Sequence, residues 1–274
     1  VLTLKGLRNY NRYQAAFGHF AISLIIFAIL GYLVYFCWYP QPLFAIDAGW
    51  QGLRIIAFVD FVLGPFITLF IFNPKKKELF KDLAIIALIQ ASALSYGVYH
   101  VYQSRPAFVV YADNAFYTVA ASELEHFPLS NDILAEVSII KPIYKILDIP
   151  REKHSIEYAV KNDDFTNYEK LQDIRIQSSG RKTPYYLLEE LLKPYNPHIT
   201  TLNENSYNLE TILKDIKDPI EKQELDNWLK QNPSYKTFSY TSVVGRFGTV
   251  IVQVNPKTGK PENYIPVNYH DGYL

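Results

Sequence analysis

One carboxyl group stands apart in this chain of 274 residues. Asp60 is the lone charged side chain in the run IIAFVDFVLGPFITLFIF from Ile55 to Phe72. A carboxyl in such a run can hydrogen-bond a neighbouring helix or offer a polar contact to a transmembrane partner. Groups of matching chemistry lie in the next apolar run, at Gln90, Ser92, Ser95 and Tyr96. Gly64-Pro65 comes one turn after Asp60, and proline removes a backbone hydrogen bond, so a kink exposing the carbonyl of Phe61 is expected there. Other reactive arrangements are missing. The six histidines, His19, His100, His126, His154, His198 and His270, show no HExxH or other ligand spacing. Gly245-Arg246-Phe247-Gly248 lacks the Gly-Lys-Ser/Thr of a phosphate cradle and is expected to be a bulge or strand crossing. There is no GxSxG elbow, and Cys37 has no adjacent base. Asp163-Asp164 and Glu189-Glu190 are sequence neighbours, which on a helix point about 100° apart, as on a solvated face. No enzyme, metal site or cofactor is expected; an enzymatic reading would need a polar pocket of converging His or acidic groups.

The elements that would position Asp60 can be read from charge segregation. Basic and acidic residues balance at 27 each, but residues 1–103 hold 8 basic and 4 acidic side chains, and residues 104–274 hold 19 and 23. Phe20 to Trp38 contains no charge, and its 19 residues cover about 28 Å as a helix, close to the bilayer's hydrocarbon thickness. Its C-terminal flank, Cys37-Trp38-Tyr39-Pro40, is unlike a signal-peptide cleavage site, so an uncleaved anchor is expected. With Ile55–Phe72 and Leu83–Tyr102 this makes three membrane helices, at about 17–38, 51–72 and 82–103. Lys5, Arg8 and Arg12 precede the first, and Lys75, Lys76, Lys77 and Lys81 separate the second from the third, which assigns both flanks to the cytoplasm. Residues 1–16 are then a cytoplasmic N-terminus, 17–103 the membrane domain, and 104–274 a periplasmic or extracellular domain. Trp38, Tyr39, Trp50, Tyr99 and Tyr102 would form an aromatic belt at the non-cytoplasmic interface. The soluble part has no basic stripe, so nucleic acid is not an expected partner, and a single Cys allows no internal disulfide.

In this topology Asp60 lies thirteen residues from Asn73, about 19 Å along the helix and near mid-bilayer. A carboxylate there costs roughly 2.5–3.5 kcal/mol on insertion scales, so it should be protonated or partnered. Two readings stay open: a hydrogen bond to Gln90, Ser92, Ser95 or Tyr96 of the third helix, or a polar contact for a foreign transmembrane helix. Ala87, Ala91 and Ser95 repeat every four residues, a spacing that lets another helix approach, within the chain or from outside it.

Several runs together resemble a known family. WYPQPL from Trp38, DFVLGPFITLFIF from Asp60, NPKKKELFKDLAIIALIQASALSYGVY from Asn73 and RPAFVVY from Arg105 look like the TfpX/TfpZ type IV pilin accessory proteins, over roughly residues 17–120. The resemblance implies a Gram-negative inner-membrane protein that assists a major pilin without being a fibre subunit. It places Asp60, Gly64, Pro65, Asp82, Gln90, Tyr96, Gly97, Arg105 and Pro106 at the family's recurring positions and carries over no catalytic residue. It further implies a pilin waiting in the membrane with an apolar N-terminal helix that bears an acidic residue and, after processing, an amine. The partner-binding candidates are therefore Asp60, Gly64, Pro65, Gln90, Ser95 and Tyr96; Trp38, Tyr39, Trp50, Arg105 and Pro106 are structural or interface candidates.

The expected fold is a three-helix transmembrane anchor followed by an α+β soluble domain with a mainly antiparallel sheet. Phe108–Tyr111 and Phe116–Val119 read as a hairpin, and Phe238–Val244, Phe247–Val254 and Tyr264–Val267 as further strands, with 255–260 as a turn. Thr183-Pro184 with Leu187, Leu188, Leu191 and Leu192, the run Leu209 to Ile216, and Asp218-Pro219 with Leu225, Trp228 and Leu229 read as helices. Residues 128–182 are mixed, with Ile139, Ile140, Ile143 and Ile146 in strand or helix. The expected function is a chaperone-like accessory factor that binds a type IV major pilin through membrane helix and periplasmic head and modulates pilus assembly. The alternative is a periplasmic ligand sensor or a small transporter component. Oligomeric state is not readable from these residues.

Overall fold

The computed structural model describes residues 10–76, 78–112, 115–127, 129–147, 156–166, 169, 192–195, 219–232, 239–255 and 261–268. The chain divides into two compact units: residues 1–40 with 48–105, and residues 41–47 with 106–274.

Among its described residues the first unit contains three helices long and apolar enough to cross a membrane, Arg12–Trp38, Gly49–Ile71 and Leu79–Gln103. Asn11 opens the first with a reciprocal cap: its Oδ1 accepts from the Gln14 backbone N–H at 2.8 Å, and its own N–H donates to Gln14 Oε1 at 2.9 Å. Burial in these helices runs opposite to that of a water-soluble bundle. Large apolar side chains such as Ile25, Phe70 and Leu88 face outward, while Ser23, Gly52, Asp60, Gly64 and Thr68 are buried. Small and polar groups inside with apolar groups outside is what a lipid environment favours. Gly52 marks a close approach of the second helix to the third, since a Cβ there would lie 2.7 Å from Val101 Cγ2.

At Pro65, where a kink is expected, the helix changes its winding. The helix widens into π turns over Phe58–Leu63, just before Gly64-Pro65, and resumes as α-helix over Gly64–Ile71. The wider turns supply the slack a proline needs, and Asp60 lies within them. The first helix also ends in π turns, at Leu33–Trp38, and Tyr39 is buried there, its Oη donating to the Val101 carbonyl at 2.9 Å.

The second unit is built on a seven-stranded sheet in the order β4-β3-β1-β2-β5-β6-β7. Its strands are β1 Pro106–Ala112, β2 Ala115–Ala120, β3 Ile143–Leu147, β4 Leu192–Pro194, β5 Ser239–Val244, β6 Thr249–Val254 and β7 Pro261–Asn268. The sheet is mixed rather than mainly antiparallel. β1–β2 is the expected hairpin, but β3 joins β1, and β5 joins β2, in parallel. Each returns after a long connection, and a crossover is what parallel pairing requires. Ile143 and Ile146 therefore belong to a strand, while Ile139 and Ile140 are exposed outside any helix or strand. Leu192 is in β4, paired with Leu147, and not on a helix as expected. Gly245–Gly248 is the turn between β5 and β6, with the Gly245 N–H donating to the Gly248 carbonyl at 2.9 Å, so neither bulge nor strand crossing describes it. The helix Pro219–Gln231 forms, with Leu225 buried and Trp228 and Leu229 half-buried. The readings over 183–191, 209–216, Asp218 and 256–260 lie outside the described residues.

Both faces of β1 are buried. Val109 and Tyr111 join one cluster with Phe116, Ile146, Val243, Val250, Val252 and Val254, and Phe108, Val110 and Ala112 join another with Val119, Leu124, Ile133 and Leu147. Leu43 and Ile46, from the segment between the first two long helices, complete the first cluster. That segment is held by an ion pair. Asp47, fully buried, accepts from Arg246 Nε at 2.8 Å and from its backbone N–H at 3.3 Å, while the Asp47 carbonyl accepts from Arg246 Nη2 at 3.3 Å and the Ile46 carbonyl accepts from the Phe247 N–H at 2.9 Å. Gly245 is required at this contact, because a Cβ would lie 2.6 Å from the Ile46 carbonyl oxygen.

Candidate functional site

The first and third long helices both pack on the second. Between them lies a groove of about 550 Å³. Its lining runs from Tyr10, Gln14 and Leu83, at the start of the first and third helices, to Ile26 and Leu94. Most of it is apolar, with a polar floor of Ser23, Asp60, Thr68, His19 and Gln90.

The floor is ordered by hydrogen bonds along the second helix. Thr68 Oγ1 donates to the Gly64 carbonyl at 3.0 Å, which spends its only proton. His19 Nδ1 lies 2.7 Å from that same oxygen and must be the donor, so in the neutral ring Nε2 is the acceptor. Gly64 leaves room for the cluster: a Cβ there would collide with the Gln90 amide and lie 3.0 Å from His19 Nε2. Asp60 is buried, with 6% of its surface exposed, and its Oδ2 has no hydrogen-bond partner among the described residues.

The structure thus brings together Asp60, Gly64 and Gln90 and leaves other expected residues elsewhere. Pro65 is half-buried and does not line the groove; Ser95 and Tyr96 lie outside it, Tyr96 exposed and packing edge-on to His100 at 4.3 Å. Ser92 Oγ donates to the Leu88 carbonyl of its own helix at 2.8 Å. Ala87 and Ala91 line the groove, and Ser95 does not. His19 and Thr68 were missed by sequence reasoning. A polar residue one helical turn before Ser23, inside an apolar run, was the signal for His19; Thr68 lies one turn after Gly64 on the face that carries Asp60.

At the ends of the helices, Trp38 packs on Tyr102 with ring centroids 5.2 Å apart, and Trp50 is exposed. Arg105 is buried, its Nη1 donating to the Tyr102 carbonyl at 2.8 Å and its guanidinium carbon 3.7 Å from the Tyr102 ring centre. Burial pulls the guanidinium below its usual pKa, against the opposing influence of Tyr102 and Tyr39. Pro106 begins β1. No group of three or more His, Cys, Asp or Glu residues able to hold a metal ion occurs among the described residues.

Residues 8–47 match the family described as Fimbrial assembly protein FimB. The fimbrial assembly protein of serogroups C1 and C2 from Dichelobacter nodosus is 39% identical over 95 residues, covering 34% of this chain and 72% of that protein. Those of serogroups I and E1 from the same organism are 39% and 37% identical over 95 residues, and the match spans only 37% of their length. No solved structure matches. With more than two thirds of one such relative covered at this identity, the chain belongs to the fimbrial assembly protein family.

Proposed function

We propose that this protein is a membrane-embedded assembly factor for a type IV pilus, binding the major pilin while it waits in the inner membrane of a Gram-negative cell. The observation that carries the reading is the groove with a buried, unpartnered carboxyl at Asp60, in a chain akin to fimbrial assembly proteins. The protein acts as a chaperone-like factor of the TfpX/TfpZ accessory type. The N-terminus is cytoplasmic and the sheet domain periplasmic. Two features support that orientation. Arg12, Lys75, Lys76 and Lys81 lie at one set of helix ends. Residues 41–47, between the first two helices, are built into the core of the domain that comes after the third, so both must occupy the same side of the bilayer.

The membrane helices contact the pilin's apolar helix and the sheet domain its head; two weak, tethered contacts reinforce each other through effective concentration. Asp60 receives a donor from the pilin. The protein acts by binding and not as an enzyme. Detergent extraction of the full chain with the pilin of the same bacterium tests the reading. Pilin should co-purify with the wild-type chain, and its absence under conditions that keep the chain folded would refute pilin binding. Co-purification at wild-type yield with Asp60→Ala would remove the role of Asp60 and leave the wider reading standing.

A further inference from the structure

We infer that the groove between the first and third helices is the seat of one apolar transmembrane helix of a partner, which enters with its small-residue face and places a hydrogen-bond donor against Asp60. The inference deepens the proposed pilin binding and rests on it for the partner's name, but its chemistry comes from the groove. Four small residues, Ala15 and Gly18 on one wall and Ala87 and Ala91 on the other, flank the opening. Facing walls of this kind allow a helix backbone to approach closely, and that contact is a main source of helix association in lipid. From Leu83 to Leu94 the third-helix wall is about 16 Å long, half a bilayer span, so the seat grips about three turns of its occupant.

The floor selects among apolar occupants. Asp60 Oδ2 is buried with no partner among the described residues, and His19 Nε2, in the tautomer that Thr68 imposes, is also an acceptor. Without a partner a carboxyl at this depth keeps its proton; a donor brought by the occupant partners the carboxyl and the ring nitrogen in its place. An acyl chain fills an apolar groove but brings no donor to the depth of Asp60, whereas a spanning helix can carry one there on a side chain. In hydrocarbon an unsatisfied acceptor is costly, so the donor confers selectivity on a groove that shape alone would leave open to lipid.

The test places a photocrosslinking side chain at Ala87 or Ala91, inside the groove, and at Leu88, exposed on the same helix outside it, in the full chain in native membranes with pilin present. Adducts with a partner helix should form from positions 87 and 91 and not from 88. Asp60→Leu removes the buried polar group without opening a cavity; it should lower the adduct from position 87 by about three- to fifteenfold, the range of one interhelical hydrogen bond, while leaving the isolated chain at least as heat-stable. Ala91→Leu, which fills the groove, should abolish the adduct from 87. Lipid adducts alone from 87 and 91 would overturn the groove, and pilin that still co-purified would keep the broader function. An adduct with another single-pass protein, lost in both variants, would support the seat and overturn pilin as its occupant. An adduct unchanged by Asp60→Leu would overturn the donor.

Discussion

Breaking the Asp47–Arg246 pair should destabilise the sheet domain asymmetrically. Asp47 is fully buried, while the Arg246 side chain keeps 27% of its exposure. Asp47→Ala removes the acceptor for Arg246 Nε and its backbone N–H, but the guanidinium can turn to water. The loss is that of charge-assisted hydrogen bonds, about 2–3 kcal/mol. Arg246→Ala leaves a buried carboxylate uncompensated, at about 3–5 kcal/mol. For a domain of this size the first corresponds to a fall in Tm of about 4–12 °C, and the second to more. The double variant removes the stranded charge and should melt above Arg246→Ala alone. Near-ultraviolet circular dichroism of the full chain in detergent reads the Tyr-rich sheet directly. Additive single effects, or Asp47→Ala melting below Arg246→Ala, would refute the reasoning.

Other perturbations have equally definite signs. Gly245→Ala should lower the same melting temperature by an amount comparable to about 1–3 kcal/mol, because the new Cβ meets the Ile46 carbonyl, a backbone atom that cannot rotate aside. Gly52→Val should loosen the helical unit, seen as earlier loss of far-ultraviolet signal on heating in detergent, since the stiff Val101 side chain occupies that space. Lys145, 3% exposed, is paired with Glu136; Glu136→Gln should cost more stability than Lys145→Met, because only the former leaves a buried cation unpaired. Burial raises the Tyr144 pKa to about 12 and that of Tyr195 further in the same direction, with Tyr111 and Tyr144 adding to the latter. The native state thus holds these protons more tightly than the unfolded state, so their contribution is complete below about pH 10 and is lost above it, for Tyr144 as pH rises through about 12. For Tyr144 that loss is about 2–3 kcal/mol at pH 12. Tyr144→Phe should flatten the alkaline fall in denaturant midpoint, with tyrosinate absorbance as the independent monitor.

How much was legible depends on range along the chain. The long helices announce themselves by about twenty residues with at most one charge, and the β1–β2 hairpin by local alternation. Asp60, Gly64 and Gln90 were legible as polar or small residues in the wrong solvent. The illegible part is non-local. Nothing in Gln41–Asp47 marks it as part of a core completed by residues about two hundred positions later, and Leu192 fits a helical stripe as well as a short strand. The parallel joins of β3 and β5 arise from connections whose return point no spacing encodes. The π turns at Phe58–Leu63, next to Gly64-Pro65, follow from no residue spacing that the apolar run displays.

The central claim is that the chain assists fibre assembly by meeting a pilin in the membrane. Counting surface fibres by electron microscopy in cells lacking the protein, with pilin levels measured alongside, tests it most directly. The account predicts fewer fibres, restored by the wild-type chain and not by Ala91→Leu. Fibres unchanged in number, with pilin unchanged in amount, would contradict it.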